Sequence, residues 1–382
     1  VRRAEALAVA LAPLLALLAA ACASPAGAPE GPPSAVASLA PSAMSATATP
    51  GVTATPTIAL PSPTATADVP DGASVTISAV GDISLARQVV DRMQTQGAGY
   101  PFALVASLID GDIGFGNLEG ALTDRGEAWP KGYNFRTPPQ FATALTAGHI
   151  GVVTLANNHI MDFGPVGLGD TVAALDGAGV RHIGAGADEA AARTPAIIDV
   201  RGLRVAFLGY VATPDESGGF SIRAWAARTG EPGVAIGAAA TIAVDVAAAK
   251  RVADFVIVAA HAGDEYRTTP NATQRALAQA ALDAGADAYI GAHAHVVQPL
   301  EQRGRQLIAW GLGNFVFDLD QVDLANIPAP RVSLILQITL TKGAGVTAYQ
   351  AIPVTLDANE DRPRPATPDE AALLQRLVAP GN

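Results

Sequence analysis

Four of the six histidines in the 382-residue chain stand just beyond short apolar runs. His293 and His295 lie two apart in "IGAHAHVVQPLE", after the run "DAYIGA" (287–292). In an extended segment, residues two apart share a face. His261 follows "DFVIVAA" (254–260), and Asn158 and His159 follow "GVVTLA" (151–156). Carboxylates hold the equivalent places after two more runs, Asp82 after "SVTISAV" (74–80) and Glu119 after "IGFGN" (113–117). Asp82, Glu119, Asn158, His261, His293 and His295 form an oxygen and nitrogen donor set without thiolate. That set suits Mn, Fe, Zn or a similar divalent ion, not a Cys-rich structural zinc site. Six ligands exceed the needs of one four-coordinate ion, whereas two ions bridged by one carboxylate would use them all. Paired ions bind a phosphate, generate a nucleophile from bound water and stabilise a leaving oxygen. His159 is then free to protonate the leaving group. Taken singly, each residue has a plainer explanation: a turn or cap for Asp82, a solvated loop for Glu119, a satisfied core histidine for His261. Their recurrence at one strand end after another argues against those explanations jointly.

The elements that must position this set are readable in outline. "RVAFLGY" (204–210) and "QLIAWGLG" (306–313) join the runs above as buried strands. Stretches 139–148, 167–179 and 271–285 have helical apolar spacing and lie between them. Alternating strands and helices give an α/β layered fold, in which ligands bind beyond the carboxyl ends of the strands. After Phe317 the chain becomes strand-rich. "VSLILQITL" (332–340) and "VTAYQAIPVTL" (346–356) alternate and are expected to pair antiparallel. The folded domain is placed at residues 73–360, with a tail of loop and short helix over 361–382. His149 and His182 are read as structural.

Composition narrows the choice of chemistry. Net charge is −11 and no basic stripe is present, so a nucleic-acid partner is not expected. An anionic substrate would need a local positive centre, which a metal supplies. Cys22 is the only cysteine, so there is neither an intramolecular disulfide framework nor a catalytic thiol in the folded part. No G-x-S-x-G elbow and no G-x-x-x-x-G-K-[ST] loop occurs. Arg2 and Arg3, an apolar run and small residues ending at Cys22 read as a signal peptide over 1–22, with Cys22 as a lipidation site. An ordinary cleaved signal peptide with an incidental cysteine and an uncleaved anchor are the alternatives. Residues 23–72, rich in Ala, Pro, Ser and Thr, are expected to be a disordered linker. Localisation in the cell envelope, outside the cytoplasm, follows from a leader of this kind.

The blocks "GDISLAR", "NLEGALT", "NFRTPP", "LANNHIMDFG", "HAGDEY", "GAHAHVVQPLE" and "GLGNFVFD" occur in this order between about Val75 and Asp318. Together they resemble the bacterial capsule-synthesis CapA family, which includes poly-γ-glutamate biosynthesis proteins and is similar to calcineurin-like metallophosphoesterases. The resemblance implies a four-layer αββα sandwich with a dinuclear centre and a strand-rich C-terminal part. It makes Asp82 the first metal aspartate and puts Glu119 in the place of a bridging aspartate. Asn158 and His159 become ligand and proton donor, His261 the lone ligand histidine, and His293 with His295 the closing pair. Arg136, Glu265 and Asn314 would line the substrate pocket. One departure matters: phosphoesterases carry Asp-x-His at the first block, and here Ser84 stands at the histidine position. The implied function is surface-anchored, metal-dependent and hydrolase-like, in capsule or exopolymer synthesis. Its implied partners are the membrane, through the lipid, and the synthesis machinery. A lipoprotein phosphodiesterase or nucleotidase unrelated to capsule, and a non-catalytic accessory subunit, stay open as alternatives.

Overall fold

Strands that carry apolar residues at both parities need cover on both faces. In Phe255–Ala262, Phe255, Ile257 and Ala259 enter one core, while Val256, Val258 and Ala260 enter another. The computed structural model describes residues 69–216, 218–326, 331–357 and 359–379, and in it two large sheets stack face to face. The 1–22 leader with Cys22, and the 23–72 linker up to residue 68, lie outside the described residues. No helix among the described residues is long and apolar enough to cross a membrane.

The strands of the two sheets are numbered in chain order. β1 (Ser74–Ile83), β2 (Ile113–Leu118), β3 (Val152–Thr154) and β4 (Arg181–Ile183) run parallel in the first sheet. β5 (Ala196–Val200), β6 (Leu203–Ala212), β7 (Phe255–Ala262), β8 (Ala288–Ala292), β9 (Leu300–Arg303) and β10 (Gln306–Ala309) form the second, in the order β9-β10-β8-β7-β6-β5. The chain then returns to the first sheet with β11 (Asn314–Val316), β12 (Val332–Thr341), β13 (Gly345–Asp357) and β14 (Arg362–Pro365). As expected, β12 and β13 pair antiparallel. Residues beyond 361 do more than trail. β14 pairs with β13, and Leu374 of the helix Pro368–Val378 reaches the core between the sheets.

That central core holds Ile77, Phe115, Phe207, Ile257, Ile290 and Leu336, with Phe115 and Phe207 stacked at 5.4 Å across it. Helices Gln88–Gln96, Thr143–Ala147 and Gly164–Ala178 cover the outer face of the first sheet. Ala239–Ala249 and Ala272–Asp283 cover that of the second. The four layers are therefore helix, sheet, sheet, helix, as the resemblance implied. Of these helices, Gln88–Gln96 and Ala239–Ala249 were not foreseen. Ala272–Asp283 starts on a capping box, in which Asn271 and Gln274 each accept from the other's backbone N–H.

A local irregularity in β1 aims its last carboxylate. Val75, Ile77 and Ala79 face the central core, yet Ile83, of the same parity, faces the outer one. The register against β2 slips between Ala79 and Asp82, which turns Asp82 toward the seam between the sheets. Gly81 makes room for the slip. A Cβ there would stand 1.8 Å from the Gly313 carbonyl oxygen, which accepts from the Asp82 N–H at 3.0 Å. Gly81→Ala is therefore expected to cost about 1–3 kcal/mol in urea unfolding. Gly169→Ala, on an open helix surface, should stabilise by about 0.5–1 kcal/mol. Equal stabilities for the two variants would contradict this account.

Candidate metal centre

The carboxyl ends of β1, β2, β3, β7 and β8 meet where the two sheets close on each other, and the six expected ligands arrive there together. Asp82 is fully buried; its Oδ1 accepts from Asn117 Nδ2 at 2.8 Å and its Oδ2 from the His293 N–H at 3.3 Å. Glu119 is also fully buried, but neither of its carboxylate oxygens has a hydrogen-bond partner. Instead its Oε1 lies 3.9 Å from the Nε2 atoms of His159, His261 and His295 alike. His261 Nε2 meets Asn158 Oδ1 at 3.0 Å, and its Nδ1 meets Asn117 Nδ2 at 3.1 Å.

His293 and His295 do not converge by strand alternation. β8 ends at Ala292, and both histidines adopt left-handed backbone, with φ of 88° and 57°. Tyr266 (φ 60°) and Arg87 (φ 57°) beside them do the same, so four of the seven described non-glycine residues with positive φ surround this site. Each such conformation costs on the order of 1–3 kcal/mol, and such residues cluster at functional sites.

The electrostatics are those of a cluster short of positive charge. Burial, then the Asp82 carboxylate, pushes Glu119 well above the usual carboxylate range. Burial likewise raises Asp82, against the pull of His295 and Asn117. Burial and the neighbouring imidazoles hold His261 and His293 well below the ordinary histidine value. Burial also acts downward on His295, but Glu119, Asp82 and Glu265 outweigh it and bring His295 up to about 9.

His159 is held differently from the other three. Its Nδ1 donates to Asp162 Oδ2 at 2.8 Å, its ring stacks on Phe135 at 4.1 Å, and its Nε2 faces Glu119. Asp162 in turn accepts from the Phe135 N–H at 2.6 Å and pairs with Lys131 at 2.9 Å. Lys131 Nζ, buried over the Phe220 and Trp225 rings, also donates to the Asn158 carbonyl. Burial, opposed by Asp162, lowers the His159 pKa.

The three expected pocket residues part company. Asn314 Oδ1 meets His295 Nδ1 at 2.8 Å, so Asn314 supports a ligand candidate. Glu265 stands at the solvent edge with one oxygen close to His293 and His295. Arg136 donates to the carbonyls of Arg125 and Gly126 and stacks on Phe163 at 3.7 Å, where it braces a loop. The arginine lining the cavity beside His159 and His295 is Arg87. Asn117, Lys131 and Asp162 carry the supporting hydrogen bonds, and of these Lys131 and Asp162 were not singled out by sequence. Asp162, three residues after His159 in "NNHIMD", was the most readable of them.

The donors fit divalent cations. Ligand atoms of Asp82, Glu119 and His261 lie within 4.8 Å of one another, as do those of Glu265, His293 and His295. The buried Glu119 oxygens and His293 Nδ1 have no hydrogen-bond partner, which a bound cation would correct. Residues 76–319 match the family model described as "Bacterial capsule synthesis protein PGA_cap". The chain belongs to the PGA_cap family. It is 32% identical over 305 residues to the PGA biosynthesis protein CapA of Bacillus subtilis (strain 168), covering 79% of this chain and 76% of that one. It is 30% identical over 317 residues to the capsule biosynthesis protein CapA of Bacillus anthracis, covering 80% and 73%. Identity reaches 40% over 221 residues with a "Probable polyglutamine synthesis accessory protein" of Mycobacterium tuberculosis (strain ATCC 25618 / H37Rv), covering 55% and 57%. The PGA_cap match spans every site residue named above, from Asp82 to Asn314.

Removing the Glu119 charge tests the fit. In EDTA, Glu119→Gln is expected to melt above the wild type, because an unpaired buried carboxylate is lost. With Mn²⁺ at about 100 times its Kd, the wild type should gain about 2.7 kcal/mol and the variant much less. A wild type whose melting ignores Mn²⁺, Fe²⁺ and Zn²⁺ would rule out the centre.

Proposed function

We propose that this PGA_cap chain is a metal-dependent, hydrolase-like protein of capsule or exopolymer synthesis, anchored at the outer face of the membrane by lipid on Cys22. Glu119 carries the hydrolytic reading: a buried carboxylate with no hydrogen-bond donor, equidistant from three imidazole nitrogens, is a bridging ligand in waiting. The names of two similar proteins, a PGA biosynthesis protein and a capsule biosynthesis protein, support the biological setting and make poly-γ-glutamate the polymer we favour. Arg2, Arg3, the apolar run and Cys22 support the anchor. A tether of about 50 residues at ~3.1 Å each would let the domain work up to ~150 Å from the bilayer.

Asp82, Glu119, Asn158, His261, His293 and His295 would hold two divalent ions. When bound, these supply Lewis acidity toward a substrate oxygen and a nucleophile from water at neutral pH. The chain's own residues do the rest. Asp162 and Lys131 fix the His159 ring so that Nε2 faces the reacting position. A proton carried there passes to the departing oxygen or nitrogen of the substrate. Cavities of about 90 and 360 Å³ flank His159 and share Tyr133 and Glu265, so substrate reaches the centre from both sides.

The test is turnover by the Mn²⁺-loaded chain on phosphomonoesters, phosphodiesters and γ-glutamyl amides. His159→Asn should lower kcat by about 10²–10⁴-fold and leave metal content unchanged. Absence of turnover across the panel, with metal bound, would favour the accessory role that one relative's name carries. The anchor is tested separately. Cys22→Ser should move the chain out of the membrane fraction; retention there would favour an uncleaved hydrophobic anchor.

A further inference from the structure

The six ligands above bring few anionic groups to two divalent ions. Asp82 and Glu119 contribute two negative charges, and both belong to the inner group with His261. The outer group has two imidazoles, His293 and His295, and one carboxylate, Glu265. The groups approach each other at His295, whose Nδ1 lies 3.5 Å from Asp82 Oδ2 and whose Nε2 lies 3.9 Å from Glu119 Oε1. His293 is buried, and its Nδ1 has no hydrogen-bond partner among the described residues.

Glu265 is held beside this pair by its neighbours. The Tyr266 N–H donates to the Ala294 carbonyl at 2.8 Å, which ties the loop after β7 to the residue between the two histidines. Tyr266 has φ 60°, a conformation that a side chain adopts only under constraint. Its hydroxyl donates to Asp323 at 2.9 Å, which fixes the far end of the ring. Asp264, one residue earlier, is as exposed as Glu265 but belongs to neither ligand group.

We infer that Glu265 is a metal ligand: with His293 and His295 it forms an outer cation position, next to the inner position of Asp82, Glu119 and His261. This rests on the metal-centre reading above and adds to it a third carboxylate, so that the net charge of two divalent ions and their ligands falls from +2 to +1. It also assigns an order. The inner position is sealed by buried residues, while the outer one opens through Glu265 onto both flanking cavities. The outer cation is then the exchangeable one and the one that substrate meets.

The experiment is Mn²⁺ titration of the EDTA-stripped full chain by calorimetry, with electron paramagnetic resonance of the loaded protein. The wild type should take up two Mn²⁺ and show a spin-coupled spectrum. Glu265→Gln should keep one site near wild-type affinity, weaken the other at least about tenfold, and give the six-line signal of isolated Mn²⁺ at one equivalent. Glu265→Asp should restore part of the loss, and Asp264→Asn should behave as wild type. Glu265 is exposed, and matching melting curves in EDTA will establish that its variants fold. A wild type that binds none of Mn²⁺, Fe²⁺ and Zn²⁺ overturns the whole centre. If instead wild type and Glu265→Gln bind the same number of ions equally well, only the role of Glu265 falls, and the centre stands on its other ligands.

Discussion

Glu119 is a carboxylate taken out of water and given no hydrogen bond in return. Leaving a buried charge unpaired costs several kcal/mol, so a fold that keeps it must recover that cost elsewhere. The surrounding donors show where. Three imidazole Nε2 atoms stand 3.9 Å from one oxygen, too far for hydrogen bonds and spaced to leave room between. The groups that could have satisfied the carboxylate are turned to other work. Asn117 serves Asp82 and His261, and Asn157 Nδ2 serves Asn117 and the Leu118 carbonyl. The site is organised around Glu119, and its donors fit a divalent cation.

The two-sheet architecture makes this arrangement possible. Two parallel strand sets present their carboxyl ends to one seam, one bringing Asp82, Glu119 and Asn158 and the other His261, His293 and His295. The division leaves mainly oxygen donors on one sheet and nitrogen donors on the other. The centre therefore forms only when the sheets are packed, through the core that Phe115 and Phe207 hold closed. Metal binding would then be thermodynamically linked to sandwich packing: cations bound at the seam would oppose separation of the sheets.

The sequence made the strands legible because both-face burial gives long apolar runs, and it made the ligands legible because they follow those runs. It did not reveal how they aim. Asp82 reaches the seam through a register slip next to Gly81, which no alternation pattern records. His293 and His295 converge through left-handed backbone, whereas their spacing pointed to an extended segment. Lys131 and Asp162 were hidden for another reason. Their importance lies in a contact between positions 31 residues apart, and either alone reads as an ordinary loop charge. Arg136 shows the converse, since a residue recurring in a motif block proves to brace a loop while Arg87 faces the cavity.

The wider surface bears on why such a centre would be needed. The cavities flanking His159 carry Asp215, Glu216, Asp264, Glu265, Asp320 and Asp323, against Arg87 as the one arginine or lysine that lines them among the described residues. The whole chain has a net charge of −11. A polyanion such as poly-γ-glutamate would be repelled by this groove at every point except where cations are held. Bound divalent ions would invert the sign of the potential locally, and would confine favourable binding of an anion to the place where His159 can deliver a proton. A purely structural metal site needs neither an open approach nor an imidazole fixed by a buried Asp–Lys pair. Both features are present here, and both are accounted for if the centre exists to engage a substrate.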